Sequence, residues 1–347
     1  MVQFGLNRLD YRSPRHFADD AQRAEKLGWD WAFIPDSQLN LPDPYVMLAT
    51  AAQATERIGL GVLVTNPVIR DVTATAASAA TLESLAPGRT LVGFGVGDTA
   101  VRLAGKRPSR VAELEQAVAE TRALLRGERL EMGAAQPAQL RSARLQPNGP
   151  APIWVAAGGP RTLRAAGRVA DGVFIRVGPH PGNIQRAVEA IRAGAAEAGR
   201  DPSEVRLGIV LHTILLNDSA RAIQLGKSMA AGYYEYAPYL FDTPGLTWDG
   251  PSVDELREHV WPDFHHAPDL DAAAEHVDFL PDAAADAFSL HGNARAIAEQ
   301  LDAVLDLGID FDIVVPHPVP PPPAPEGGDG TYMLRFISDV QARLTLA

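Results

Sequence analysis

Short apolar runs alternate with stretches of helical periodicity along most of the chain. The clearest run covers residues 58–66, IGLGVLVTN, which is apolar and β-branched and turns polar at Thr65 and Asn66. Continuous apolar runs of this length are typical of strands buried on both faces of a parallel sheet. Each run is followed by polar or glycine-rich residues and then by a helix, so the pattern predicts alternating strands and helices.

Eight such runs predict eight strands. They cover residues 3–6, 31–34, 58–66, 90–95, 153–157, 172–176, 205–212 and 311–315. Helix-start signals lie between them: Ser13 and Asp43 each precede a proline, as an N-cap precedes the first residue of a helix. This alternation predicts an α/β fold, a (β/α)8 TIM barrel with insertions, whose site lies at the carboxyl ends of the strands.

Two segments depart from the alternation. Residues 233–290 are rich in aromatic residues, prolines and short helical pieces, and we interpret them as an inserted lid or wall, which we call the wall segment. Residues 316–325 are proline-rich and predict a stiff extended stretch before a terminal helix that begins near Tyr332. Because barrels of this type often reach roughly 250 residues or more as one unit, we interpret residues 1–347 as a single domain.

Composition narrows the classes of function. The formal net charge is -12, so the surface repels phosphate backbones and nucleic-acid binding is not expected. The chain has no cysteine, which excludes a thiolate nucleophile and cysteine-ligated metals. The sequence shows neither a targeting segment nor a membrane span, so we expect a cytoplasmic protein that does not bind membranes.

No histidine pair stands with a carboxylate at metal-ligand spacing, and no metal site is expected. His265, His266 and His276 form a loose cluster in the wall segment, which we interpret as surface or wall histidines. Polar residues at the strand ends are the better candidates for chemistry.

Two glycine-rich loops follow predicted strands. Gly95 to Asp98 reads GVGD, and Gly158, Gly159 and Pro160 open a helix whose free amides can hold a phosphate. Basic residues follow both loops, and we interpret them as a receptor for an extended anion, with tight turns and solvated helix faces as the alternative. They are Arg102, Lys106, Arg107 and Arg110 after the first loop, and Arg161, Arg164 and Arg168 after the second.

Four passages resemble a known family. They are FIPDS from Phe33, GVLVTNPVIR from Gly61, GVGDTAVRLAG from Gly95 and WVAAGGPRTLRAAGRVADGVF from Trp154. Together they resemble the luciferase-like monooxygenase superfamily, and within it the coenzyme F420-dependent branch typified by methylenetetrahydromethanopterin reductases. The resemblance runs almost end to end and is weakest in the wall segment. It implies a luciferase-like barrel that binds a deazaflavin.

The resemblance also implies site residues. A non-prolyl cis peptide between Leu63 and Val64 would support the central ring of the cofactor, with Asp36 near its polar edge. The other implied cofactor-binding residues follow the bulge or hold the ring's side chain and phosphate. They are Thr65, Asn66, Gly95, Gly97, Asp98, Ala157, Gly158, Gly159, Pro160 and Arg176.

Departures from the family pattern affect the expected chemistry. Asn7 stands where the typical reductase has an acidic residue, and Ser37 stands where several relatives have histidine. Asp36, Ser37 and Asp98 are the catalytic candidates, and His212 or His291 are alternatives to Asp98 for proton transfer.

Three functions remain open from the sequence. The leading prediction is an F420-dependent oxidoreductase that transfers a hydride to or from a small organic substrate. The alternatives are a monooxygenase that uses reduced FMN and oxygen, and a flavin-binding protein without catalysis. The resemblance further implies a homodimer or a higher homo-oligomer.

Overall fold

Eight parallel strands close into a barrel, as predicted. The computed structural model describes residues 2–7, 9, 11–133, 136–319 and 340. The barrel order is β1-β2-β3-β4-β7-β8-β9-β11, and β11 pairs back with β1. The strands are β1 Gln3–Leu6, β2 Trp31–Ile34, β3 Gly59–Thr65, β4 Thr90–Phe94, β5 Arg129–Leu130, β6 Ala138–Gln139, β7 Ile153–Ala157, β8 Gly172–Ile175, β9 Arg206–Leu215, β10 Leu290–Gly292 and β11 Ile313–Pro318.

Helices surround the barrel and form the wall segment. The helices are α1 Pro14–Leu27, α2 Pro44–Ala54, α3 Val72–Leu85, α4 Thr99–Leu103, α5 Val111–Leu125, α6 Pro160–Val169, α7 Pro181–Glu197, α8 Ser219–Tyr236, α9 Val253–Arg257, α10 Leu270–Glu275, α11 Asp282–Phe288 and α12 Ala294–Leu305. The predicted N-caps Ser13 and Asp43 are confirmed, since their side chains accept amide hydrogen bonds at the starts of α1 and α2, and Asp71 caps α3 in the same way. Among the helices that the structure describes, none has the length and apolar character needed to cross a bilayer.

The last two barrel strands differ from the prediction. β9 continues beyond His212 to Leu215, and its final residues pair with β10, a short ninth strand that the sequence did not predict. β11 includes Pro316 and His317, which were predicted to follow the strand. Proline is tolerated there because β11 pairs with β1 only at Ile313 and Val314, so the missing amide of Pro316 interrupts no bond on that side.

Aromatic side chains fill the barrel interior. Phe33, Trp154 and Phe174 are fully buried there, and the ring centroids of Trp154 and Phe174 lie 4.6 Å apart. Glycines on neighbouring strands provide the room: a Cβ at Gly172 would lie 2.4 Å from the Trp154 indole. The floor of the barrel is therefore a closely packed layer, and it leaves the site to the strand ends above it.

Residues 127–150, which lack periodicity, contain the antiparallel hairpin of β5 and β6 and a 3-10 turn at Arg141–Leu145. The wall segment consists of the end of α8, α9 to α11 and connecting turns. The proline-rich stretch beyond residue 319 and the predicted helix near Tyr332 lie outside the described residues.

Candidate functional site

A cavity of about 500 Å³ opens at the carboxyl ends of the barrel strands. Most of the predicted site residues line it, and two do not: Thr65 lies buried behind Asp36, and Pro160 begins α6. The predicted residues that line the cavity are Asp36, Ser37, Leu63, Val64, Asn66, Gly95, Gly97, Asp98, Ala157, Gly158, Gly159 and Arg176.

The third strand forms the cavity floor. The peptide bond between Leu63 and Val64 is cis, and the register between β3 and β4 shifts between Val62 and Thr65, which confirms the expected bulge. Glycines beside it leave space for the Val64 side chain, since a Cβ at Gly95 would lie 2.9 Å from Val64 Cγ2. Val64 therefore presents a small apolar surface to the cavity, which suits a flat ring.

Asp36 is held in a network of hydrogen bonds. Thr65 Oγ1 donates to Asp36 Oδ2 at 2.7 Å, and Arg70 Nε donates to the same oxygen at 2.7 Å. Arg70 Nη2 also donates to Asp43 Oδ2 at 2.7 Å, and these two carboxylates raise the pKa of Arg70 against the opposing effect of burial. Because Asp36 is 3% exposed and paired, its place in the site is that of an anchor for the loops after β2 and β3.

The loop after β4 turns at Gly97, whose φ is 82°. A side chain there is strained, and its Cβ would lie 2.4 Å from Val101 Cγ2. Burial raises the pKa of Asp98 to about 6, and Asp263 raises it further, whereas Arg102, His266 and Arg176 oppose the change. Arg102 Nε lies 3.2 Å from Asp98 Oδ1. This loop thus places a carboxyl group that can change its charge near neutral pH at the edge of the cavity.

The loop after β7 places a helix N-terminus at the cavity. Gly158 packs against the chain of β8, and a Cβ there would lie 2.5 Å from the Arg176 carbonyl oxygen. Gly159 is the N-cap of α6, and no side chain caps the first amides of that helix. Arg176 also lines the cavity, and its guanidinium makes no hydrogen bond or ion pair within the part of the chain that the structure describes. Unpaired amides and a nearby cation favour an anion.

The structure corrects the proposed anion receptor. Only Arg102 of the seven basic residues predicted after the loops lines the cavity, and it contacts Asp98 and Glu235. Three of the others form ion pairs outside the cavity. Arg107 lies in the loop before α5 and pairs with Glu113 in the first turn of that helix. Arg164 and Arg168 of α6 pair with neighbouring helices, Arg164 with Glu197, and Arg168 with Glu115 and Glu197, so the solvated-face alternative describes these two.

The wall segment closes the other side of the cavity, and the sequence interpretation underestimated it. Tyr233, Tyr236, His265 and His266 line the cavity, although both histidines were interpreted as surface or wall residues without a role. His276 stacks on His259, with ring centroids 5.2 Å apart, and does not line the cavity. His265 and His266 follow the cis Trp261-Pro262 peptide in a segment without periodicity. The sequence pattern therefore could not place them at the cavity, because only the folded chain brings them to the strand ends.

His266 belongs to a compact polar group. His266 Nδ1 lies 2.7 Å from Asp263 Oδ1, and Thr99 Oγ1 donates to Asp263 Oδ2 at 3.0 Å. The Asp263 side chain is fully buried, which raises its pKa, but His266, His265 and the Tyr236 hydroxyl outweigh burial and lower the pKa far below the usual value, so the carboxylate stays ionised. A carboxylate of the wall segment is therefore bound to the loop after β4.

A second group of histidines lies under the wall. His212 and His265 have ring centroids 4.5 Å apart, and those of His212 and His317 are 5.1 Å apart. Burial lowers the pKa of His265 to about 3 and that of His212 well below its usual value. Asn7 Nδ2 donates to His317 Nδ1 at 2.8 Å. His291, the other sequence candidate for proton transfer, lies on β10 and does not line the cavity.

The described residues include no cluster of three or more histidine or acidic side chains arranged to hold a metal ion. What lines the cavity is instead an apolar floor, a helix N-terminus and a polar wall. A comparison with known proteins identifies the family to which a chain with this cavity belongs. The family model for luciferase-like monooxygenases matches residues 2–310.

The chain belongs to the luciferase-like monooxygenase family.

Three of the proteins that this chain is similar to are reductases. A 5,10-methylenetetrahydromethanopterin reductase from Methanolobus tindarius is 29% identical over 330 residues, which cover 92% of this chain and 95% of the relative. A phthiodiolone/phenolphthiodiolone dimycocerosates ketoreductase from Mycobacterium kansasii is 39% identical over 193 residues, about half of each chain. The solved structure of the coenzyme F420-dependent tetrahydromethanopterin reductase from Methanopyrus kandleri superposes with a TM-score of 0.70, covers 99% of each chain and is 24% identical.

This luciferase-like chain also leaves polar atoms without partners beside its cavity. Asn7 lines the cavity, and its Oδ1 is buried and makes no hydrogen bond with any other described residue. The same is true of Nδ1 of His212, which lies beside the cavity-lining rings of His265 and His317. Buried polar atoms are nearly always paired, so unpaired ones at a cavity indicate a polar ligand. The site thus suits a molecule with an apolar face, polar edges and an anionic end.

Proposed function

We propose that this luciferase-like protein is an F420-dependent oxidoreductase that transfers a hydride between the deazaflavin and a small organic substrate with a C=C, C=N or similar double bond. The observation that carries the proposal is the cavity itself, which joins an apolar floor at the cis bulge to unpaired groups that attract an anion. The family membership and the reductase relatives support it.

The residues present fit this cofactor. Leu63 and Val64 would lie against the ring, and Thr65 and Asp36 would hold the floor in place beneath it. The side chain and phosphate would lie along the loops after β3, β4, β7 and β8. The residues proposed to hold them are Asn66, Gly95, Gly97, Asp98, Ala157, Gly158, Gly159, Pro160 and Arg176. When bound, the deazaflavin supplies a hydride and reacts poorly with oxygen.

Charge is the reason for preferring F420 to FMN. F420 carries a phosphodiester and a glutamyl tail, which add more negative charge than the single phosphate of FMN. The guanidinium of Arg176 makes no hydrogen bond or ion pair with the described residues, and its interaction with Asp98 acts beyond ion-pair distance, so it is available to an anionic ligand. Among the catalytic candidates, Ser37 offers a hydroxyl to the cavity and Asp98 offers a carboxyl that titrates near pH 6, whereas Asp36 acts by positioning.

The test is a titration of the purified protein with F420 and with FMN, followed by cofactor fluorescence. We expect micromolar binding of F420 and much weaker binding of FMN. Replacing Arg176→Gln removes a charged hydrogen-bond donor and should raise the Kd for F420 by roughly 10- to 100-fold. Arg164→Gln is the matched control, because Arg164 pairs with Glu197 on a helix surface and should leave the Kd unchanged.

Two results would reject the proposal. Micromolar binding of FMN without binding of F420 would favour the alternative of an FMN-dependent monooxygenase, and equal effects of both arginine substitutions would remove Arg176 from the site. The expected homo-oligomer and cytoplasmic location stay predictions; light scattering of the purified protein tests the first.

A further inference from the structure

The wall segment holds an Asp–His pair at the cavity. The carboxylate of Asp263 is fully buried and accepts hydrogen bonds from three directions: from the His265 amide at 3.0 Å, from Thr99 Oγ1 at 3.0 Å, and from His266 Nδ1 at 2.7 Å. These hydrogen bonds hold the carboxylate of Asp263 in one orientation. It therefore fixes the ring of His266 in one orientation.

This contact also fixes the tautomer of His266. A carboxylate only accepts hydrogen bonds, so the proton of the neutral ring lies on Nδ1 and the lone pair lies on Nε2. The ring lines the cavity and keeps 36% of its surface exposed, and Nε2 has no partner among the described residues. When protonated, Nε2 becomes a donor that faces the cavity, and solvent at the cavity mouth can restore its proton.

The neighbouring histidines are less suited to donate a proton. His265 is buried, and its Nε2 lies 3.0 Å from the carbonyl oxygen of Met229. Burial and nearby positive charges keep the pKa of His265 and of His212 low, so both rings stay neutral near pH 7. His317 uses Nδ1 to accept a hydrogen bond from Asn7 Nδ2. His266 combines a paired carboxylate at Nδ1 with an Nε2 that is open to the cavity.

We propose that His266 is the proton donor and acceptor of this site, that Asp263 and Thr99 position it, and that the substrate group it serves is a carbonyl interconverting with an alcohol. The proposal rests on the proposed F420-dependent function. In the reductive direction the substrate carbon accepts a hydride, the Nε2–H bond of His266 breaks, and an O–H bond forms at the substrate oxygen. The substrate is reduced by two electrons and the deazaflavin is oxidised. His266 begins the step as the imidazolium, with protons on both ring nitrogens, and is left neutral with its proton on Nδ1.

The choice of a carbonyl follows from charge. Hydride addition to a ketone or aldehyde places negative charge on oxygen, and a positioned acid lowers that barrier. Hydride addition to an iminium ion neutralises a charge and needs no acid. An ionised, buried aspartate that holds a histidine at the cavity would therefore add nothing to iminium reduction, but it would add much to carbonyl reduction.

The main experiment uses single turnovers of the protein loaded with reduced F420, mixed with a panel of ketones, aldehydes and preformed iminium ions. Return of the oxidised deazaflavin absorbance reports hydride transfer. We expect His266→Gln to slow carbonyl reduction by roughly 100- to 10 000-fold while leaving the Kd for F420 unchanged. Reduction of any iminium ion that the wild type accepts should keep its rate. His276→Gln is the matched control, because that histidine belongs to the same segment and stacks on His259.

A second experiment tests Asp263 without cofactor or turnover. Nitrogen NMR of the histidine rings should show His266 protonated at Nδ1 in the wild-type protein. In Asp263→Asn the side-chain amide can donate to Nδ1, so we expect the proton to move to Nε2 and carbonyl reduction to slow while the fold is retained. A fold defect alone would not produce that change of tautomer.

Each outcome decides the inference. Three results would overturn this inference while leaving the proposed function in place. The first is a wild-type rate of carbonyl reduction in His266→Gln, and the second is a loss of that rate only in His317→Gln or Tyr236→Phe. The third is binding of F420 without turnover of any carbonyl. Failure of the wild type to bind F420 would overturn both. Equal slowing of iminium and carbonyl substrates in His266→Gln would show a positioning effect instead of proton transfer, and would also reject the assignment.

Discussion

The floor and the wall of the cavity are built from different chemical groups. The floor consists of strand ends, with small side chains and backbone atoms such as those at Val64, Gly95 and Gly159. The wall consists of titratable and aromatic side chains, Tyr233, Tyr236, His265 and His266. The difference is consistent with our proposal that the rigid backbone of the floor holds the cofactor and that side chains of the wall contact the substrate. Three substitution experiments test whether that division of roles is real.

The largest expected effect is a difference in unfolding free energy between a tryptophan substitution in the barrel and one in the wall. Trp154 is fully buried in the barrel, whereas Trp248 is half-buried in the wall, where its ring stacks on Tyr234 at 4.0 Å. Trp154→Ala should lower the free energy of unfolding by about 3–5 kcal/mol because it leaves a large hole in a closely packed layer. Trp248→Ala should cost clearly less, since the wall can relax toward solvent. Urea unfolding of both variants measures this, and Trp154→Phe is the conservative control.

An equal loss from the two tryptophan substitutions would mean that barrel and wall unfold as one equally packed unit. It would also remove the basis for treating the wall as the adaptable side of the cavity.

The next effect distinguishes two adjacent glycines of the floor. Gly158→Ala would place Cβ 2.5 Å from the Arg176 carbonyl oxygen, so we expect a loss of about 1–3 kcal/mol in unfolding free energy. At Gly159 the nearest atom to an added Cβ is Thr162 Oγ1, at 3.9 Å, and the stability cost should be less than about 1 kcal/mol. Because that Cβ would enter the proposed phosphate site, Gly159→Ala should instead raise the Kd for F420 about tenfold, or about 1.4 kcal/mol.

Thermal unfolding and fluorescence titration of the same two samples give the comparison. If Gly159→Ala binds F420 as tightly as the wild type, the helix N-terminus does not hold the cofactor.

The smallest effect concerns Asp98, where floor and wall meet. Its pKa rises from 3.8 to about 6 because burial disfavours the charged form, with Asp263 adding repulsion and Arg102, His266 and Arg176 opposing it. The folded protein therefore binds this proton more tightly than the unfolded chain, and the ionised carboxylate costs stability above about pH 6 but not below about pH 4. Asp98→Asn should raise Tm by about 1–2 °C near pH 8 and leave it unchanged near pH 4.

Scanning calorimetry at the two pH values provides the measurement. A Tm rise of the same size at both pH values would show that the substitution acts through packing and that Asp98 does not titrate between them.

The floor was predictable from the sequence because its signals are local. Apolar runs ended at Ile34, Phe94 and Ala157 within a residue of the predicted ends, and the residues after them necessarily meet at one rim of a parallel barrel. The cis bulge after Val62 came from the family resemblance, since nothing in the run itself distinguishes it from an ordinary strand.

The wall was less predictable because its contacts join distant positions. Thr99 and Asp263 are 164 residues apart, and no spacing in the sequence connects them. His317 was placed after its strand because Pro316 suggested an end, yet the strand continues and pairs His317 with His212. The predicted arginine clusters failed for a related reason: helical spacing does not show whether a cation faces a cavity or the carboxylates of a neighbouring helix.

The short strand β10 has a consequence for how such enzymes diversify. The chain leaves the barrel after β9, runs through α8 and the wall segment, and returns at β10, which pairs Leu290 with Thr213 and Gly292 with Leu215 at the end of β9. Both ends of the excursion are thus fastened at one point, and doubling the length of a flexible loop with fixed ends costs only about 0.6 kcal/mol. The residues between these junctions can therefore be exchanged as one unit between related barrels, and such an exchange would change the substrate range of the recipient barrel.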